Sequence, residues 1–99
     1  MSNDSGYIAV EEQGDGYIRY SNGLQICFIT VSIAANTTAY FPLPKPFIDA
    51  MYVLSLINHG GSKPSCFITY DSKTKTGFSI TSINPSPLFV DVIGIGWWK

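Results

Sequence analysis

Charge is what this chain has least of. Asp, Glu, Lys and Arg make up 13% of its 99 residues, against roughly 25% in an ordinary soluble domain. None occurs between Arg19 and Lys45, and none between Lys75 and Asp91. A solvated strand face normally carries some charge, so these stretches point to surface covered by other copies of the chain. The net charge of −1 gives no electrostatic case for nucleic acid or an anionic membrane. No apolar run reaches the roughly 20 residues of a membrane span, which argues against membrane insertion. The start, Met1-Ser2-Asn3-Asp4, has neither the basic residues nor the apolar core of a secretory signal, so synthesis in a cytosol is expected. Two cysteines, Cys27 and Cys66, sit in apolar β-type runs and read as buried free thiols. Catalytic signatures are missing as well. There is one histidine, no Gly-x-Ser-x-Gly and no Cys-x-x-Cys, and the seven carboxylates are scattered. A glycosidase needs two carboxylates facing each other. Asp71 and Asp91 are the candidates, and spacing alone does not bring them together. Neither an enzyme, a metal site nor a cofactor is expected.

What is present is a β palette: Ser, Thr, Asn, Gly, and 14% aromatics. Tyr17-Ile18-Arg19-Tyr20 runs into Ser21-Asn22-Gly23 and out again through Leu24. Asn-Gly between β-type runs is a strong hairpin signal and predicts positive φ at both residues. Residues 1–15 read as a linker or joint. A short strand at Tyr7–Val10 is broken by Glu11 to Gly16, and the domain occupies 16–99. From Leu24 to Ile33 the apolar residues change face midway, which implies a bulge or a strand covered on both sides. Residues 34–38 form a turn. Ala39-Tyr40-Phe41 is a short strand ended by Pro42, Pro44 and Pro46. Residues 47–58 read as the central, most apolar strand. His59 to Pro64 is a loop, 65–70 a strand, 71–77 a polar loop, 78–83 a half-buried strand, and 88–98 a strand apolar on both faces. About six or seven strands at even spacing, without a helix signal, make an antiparallel sandwich or barrel.

Two loops combine an aromatic with polar groups, as a sugar site requires. In the favoured one Tyr70 supplies the ring, Asp71 an acceptor, and Lys73 and Lys75 donors suited to acidic sugars. The solvated-loop alternative stays open. His59 in the other loop and Trp98 at the C-terminal end are the further candidates. Gly94 and Gly96 leave one strand face bare for a close approach, and Trp97-Trp98 sends one indole to each side.

Several motifs resemble a known family: Gly16-Tyr-Ile-Arg-Tyr-Ser-Asn-Gly-Leu-Gln-Ile26, Tyr40-Phe41-Pro42 through Pro46-Phe47, and the terminal Ile93-Gly-Ile-Gly-Trp97. In this order, over about residues 15–99, they resemble the C-terminal tip domain of bacteriophage and prophage tail fibres. The resemblance implies a lectin-like β-sandwich knob that is homotrimeric and follows an upstream fibre shaft in the virion tail. It implies binding to a host surface glycan or other outer-membrane receptor. The alternative within the family is a structural trimerisation cap without ligand binding.

Overall fold

The computed structural model describes residues 8–59 and 68–99 of the chain. Among these the strands, in chain order, are β1 (Val10–Gly14), β2 (Tyr17–Tyr20), β3 (Leu24–Ile33), β4 (Thr37–Pro42), β5 (Val53–His59), β6 (Ile68–Thr74), β7 (Gly77–Ser82) and β8 (Leu88–Trp97). They form two antiparallel sheets, ordered β1-β2-β3-β8-β5 and β4-β7-β6. The central pairing is β3 with β8. It runs from Leu24 opposite Trp97 to Ile33 opposite Leu88, ten residues on each strand without a bulge.

That register decides the faces, because successive side chains of a strand alternate. Cys27, Ile29, Val31 and Ile33 turn inward with Leu88, Val90 and Val92. From the second sheet Ala39, Phe41, Phe78 and Ile80 meet them, with Phe78, Ile80 and Val90 wholly shielded from water. The result is a sandwich with one core. The change of face in β3 is thus not a bulge. Leu24, Ile26 and Phe28 are apolar and turn outward.

Beyond the second sheet, the proline-rich segment closes the inner face. Phe47 stacks on Tyr52 with ring centroids 4.3 Å apart, and both lie over the bare glycines of β8. A Cβ on Gly96 would stand 2.6 Å from the Tyr52 Cβ and 3.0 Å from the Phe47 ring. Arg19 and the fully buried Gln25 tie the segment down. Arg19 donates to the Gln25 Oε1 at 2.6 Å and the Pro46 carbonyl at 3.0 Å, and Gln25 donates to the Lys45 carbonyl at 3.0 Å.

Four expectations need correction. The strand expected over 47–58 starts only at Val53 and, among the described residues, lies at the edge of its sheet, paired with β8. Phe47 to Tyr52 instead crosses over the glycines, turned by Asp49, which accepts from the Met51 amide. The break expected at Glu11 comes at Asp15. Residues 10–14 pair with β2, since acidic side chains suit an edge strand and Glu12 has partners in Tyr17, Arg19 and Lys45. Those partners, the Tyr17 hydroxyl foremost, hold the Glu12 carboxyl below its ordinary range. The polar loop expected at 71–77 is mostly strand. β6 continues to Thr74 through a bulge, with Ser72 at φ +53°, leaving a two-residue turn. Lastly, only Gly23 of the Asn22-Gly23 turn has positive φ, +99°. Asn22 acts through its side chain, accepting from the Leu24 amide, and Gly23 donates to the Tyr20 carbonyl at 3.0 Å, which makes the connection a three-residue one. Cys27 is a buried free thiol, its ionisation pushed up by burial. Cys66 and the loop from Gly60 to Pro64 lie outside the described residues.

The C-terminal end locks onto this turn. Trp98 donates its amide to the Gly23 carbonyl and its indole N–H to the Tyr20 carbonyl, at 2.9 and 3.1 Å. A Cβ at Gly23 would stand 3.1 Å from the Lys99 carbonyl oxygen. Gly23→Val should therefore lower stability by more than about 1 kcal/mol, because a β-branched residue is strained at that φ. Thermal denaturation checks it, and an unchanged Tm contradicts the turn geometry.

Tyr52 donates its hydroxyl to the Thr74 and Gly77 carbonyls at 2.8 and 2.9 Å, and burial pushes its phenol from 10 up to about 12. The folded state holds this proton more tightly than the unfolded one. The associated stability is intact below pH 10 and is lost as pH rises from 10 towards 12. Tyr52→Phe should cost about 1–3 kcal/mol at neutral pH and flatten that alkaline decline. Urea unfolding of both proteins at neutral and alkaline pH measures it, and equal slopes would assign the decline to other groups.

Candidate functional site

The sandwich leaves two outer faces, and their chemistry differs sharply. The outer face of the five-stranded sheet is apolar. It carries Ile18 and Tyr20 of β2, Leu24, Ile26 and Phe28 of β3, Phe89, Ile93, Ile95 and Trp97 of β8, and Val53 and Ile57 of β5. Phe28 is 47% exposed, Val53 65%, Ile95 44% and Trp97 54%. Asp91 is the one charged residue that β2, β3, β8 and β5 place on it among those described, and Thr30 donates to it at 2.6 Å. Beside this pair, between Phe28, Ile57 and Ile93, lies a hollow of about 320 Å³. On the other flank of Phe28 a groove of about 470 Å³ runs between Gly16, Thr30 and Pro42–Pro44.

The outer face of the three-stranded sheet is hydroxylic. Register places Thr38, Thr81 and Thr69 in one row across it, and Tyr40, Ser79 and Asp71 in the next. Thr38 and Thr81 share a hydrogen bond of 2.8 Å. Asp71 accepts from the Ser72 amide at 2.7 Å.

Of the residues singled out from the sequence, the structure brings few together. Tyr70 and Asp71 are consecutive in a strand, so they stand on opposite faces. Tyr70 pairs with Ile80 on the core side, and Asp71 with Ser79 on the outer side. Lys73 follows Tyr70. It donates to the Tyr52 carbonyl and lies 5.1 Å from the Tyr52 ring and 5.5 Å from the Tyr70 ring. Lys75 lies in the turn between β6 and β7, where its carbonyl accepts from the Phe47 amide. The Arg19 guanidinium and the Lys99 ammonium lie 4.8 and 4.9 Å from the Trp98 ring centroid, and its indole N–H is committed to the Tyr20 carbonyl. The exposed indole is that of Trp97. His59 ends β5, opposite Phe89; its side chain is outside the described residues. Asp71 and Asp91, the pair a glycosidase would need, stand on opposite outer faces.

Sequence reading missed Tyr40, its row-mate Ser79, and Thr81 in the neighbouring row. Their signal was the alternation of Thr38 with Tyr40, Thr69 with Asp71 and Ser79 with Thr81. Only the cross-strand register turns three separate alternations into one surface.

No family model matches the sequence, and no curated protein matches it. Solved structures do. An N-truncated R1-type pyocin tail fibre aligns over 92% of this chain and 86% of its own, at 15% identity and a TM-score of 0.64. The N-truncated R2-type pyocin tail fibre gives 91%, 37%, 16% and 0.68 in the same order. The P. aeruginosa R2 pyocin fibre comprising C-terminal residues 323–691 aligns over 91% of this chain, with 14% identity and a TM-score of 0.66, and the chain spans 26% of that structure. The likeness at such identity is one of fold, and the fold is that of pyocin tail-fibre C-terminal domains.

Proposed function

We propose that this chain is the distal domain of a phage-type tail fibre and that, as a homotrimer following an upstream shaft, it binds a polysaccharide of the host surface. The observation that carries the reading is the tail-fibre fold, shared along nearly the whole chain with pyocin fibres. It acts as a binding module, not an enzyme, made in the host cytoplasm and assembled into the virion tail.

The apolar face supplies the physical case for assembly. A monomer rarely leaves so continuous an apolar surface in water. The domain is elongated, 56 × 23 × 19 Å. Three copies with long axes parallel and these faces turned to one axis cover the patch and continue a fibre. Such symmetry is closed, so no open apolar edge remains. The hollow beside Phe28 offers room for a neighbour's side chain. Apart from Asp91, which Thr30 hydrogen-bonds, further charge in this face is opposed by the burial it would suffer.

Light scattering should return about three times the 10.9 kDa chain mass. Ile95→Glu should shift the chain to monomer, since its side chain is solvent-facing in one copy. A wild-type mass of one chain would overturn the assembly. For the receptor, labelled chain applied to a panel of bacterial strains should bind a subset. Binding should vanish after periodate oxidation of surface sugars and survive protease treatment. The reverse pattern identifies a protein receptor. Binding to no strain by an intact trimer favours the structural cap.

A further inference from the structure

We infer that the hydroxylic face of the three-stranded sheet is the saccharide contact, with the Tyr40 ring as its stacking platform, and that it takes uncharged sugars. The inference rests on the glycan-binding reading above and adds to it a site and a ligand class.

Gly77 sets the position of the Tyr40 ring. A Cβ there would stand 2.1 Å from the Tyr40 hydroxyl oxygen and 2.5 Å from the adjoining ring carbon. The phenol therefore lies down across the glycine, and only a glycine admits it. Its hydroxyl is 3.5 Å from the Thr76 hydroxyl, which is 3.2 Å from that of Thr74. The ring is held on one side by the sheet, yet Tyr40 remains 53% exposed. An aromatic laid over a sheet glycine also shields backbone, but that role does not ask for polar company. Here the ring is bordered by Ser79 and Asp71 in its own row and by Thr38, Thr81 and Thr69 in the next.

This set matches the two sides of a pyranose. Its C–H face packs on an aromatic ring, and its hydroxyls both donate and accept, as Ser and Thr do in return. The single carboxylate adds a strong acceptor for sugar hydroxyls. No lysine or arginine stands in the two rows. Lys73, next along β6, is drawn to the core side by the Tyr52 carbonyl. An anionic sugar laid across the two rows would meet the Asp71 carboxylate with no cation in either row; Lys75 lies beyond them, in the turn between Thr74 and Thr76. Charge within the rows therefore favours neutral residues over the acidic sugars expected from the sequence. The face is also opposite the apolar one across the sandwich, so it stays open when copies associate. Three equal sites on one knob then give a multivalent grip, which suits weak single-sugar contacts.

The test is an array of bacterial surface saccharides, neutral and anionic, probed with the assembled full chain. Wild type should bind neutral members. Tyr40→Ala should weaken that binding about tenfold per site. Ser79→Arg, which places a long cation on the central strand's outer side and leaves the core untouched, should abolish it with the trimer mass and Tm retained. If wild type binds neutral glycans and both variants match it, the site is elsewhere and the receptor reading survives. Binding confined to anionic members overturns the ligand class. Binding to no saccharide removes the glycan reading, and the site with it.

Discussion

The structure depends on one unbroken pairing. β3 and β8 share ten residues in register, and β8 carries β5 on its other edge. Because side-chain direction alternates along each strand, this one register assigns every apolar residue of the two long strands to a face. Cys27, Ile29, Val31, Ile33, Leu88, Val90 and Val92 become the core. Leu24, Ile26, Phe28, Phe89, Ile93, Ile95 and Trp97 become an outer surface. A shift by one residue would exchange the two sets and bring Gln25, Gly94 and Gly96 outward with the core residues. The hairpin turn and the C-terminal residues pin the pairing at one end, where Trp98 bonds to both Tyr20 and Gly23.

From that pairing follow two faces of different chemistry. The five-stranded sheet is apolar on both sides, a pattern expected of a sheet covered twice. Among the described residues it is covered once, through the second sheet and the Phe47–Tyr52 stack. In the function proposed above the second cover comes from other copies of the chain, the occupants that its elongated shape and fibre-like fold favour. The three-stranded sheet has the ordinary one-sided pattern, Phe78 and Ile80 in, Ser79 and Thr81 out. Its outer side is where water, or the hydroxyls of a sugar, can replace one another at little cost.

Much of this was legible in the residues. The spacing of apolar runs gave the sandwich, and the hairpin, proline and terminal glycine motifs gave the tail-fibre resemblance that the fold bears out. Gly94 and Gly96 announced a close approach, and Phe47 with Tyr52 makes it. What misled were places where a local pattern has two tertiary outcomes. Residues 47–52 are apolar enough for a strand, but covering the glycines of β8 holds them out of the sheet. Residues 71–74 are polar enough for a loop, yet an exposed edge strand has the same composition. That second ambiguity moved the candidate site. Once residue 71 is in a strand, Tyr70 and Asp71 part company, and the ring that shares Asp71's face is Tyr40, about thirty positions away in sequence and two strands away in the sheet. Local sequence carries no signal for that distance.

Hydroxyl-radical footprinting of the assembled chain measures both faces at once. The account predicts strong protection of Phe28, Ile95 and Trp97, relative to a chain kept monomeric by a charge in that face, while Tyr40 remains equally reactive in both. Reactive Phe28 and Trp97 in the assembly, with Tyr40 protected instead, would show that copies meet through the hydroxylic face and would contradict the assignment of the two surfaces.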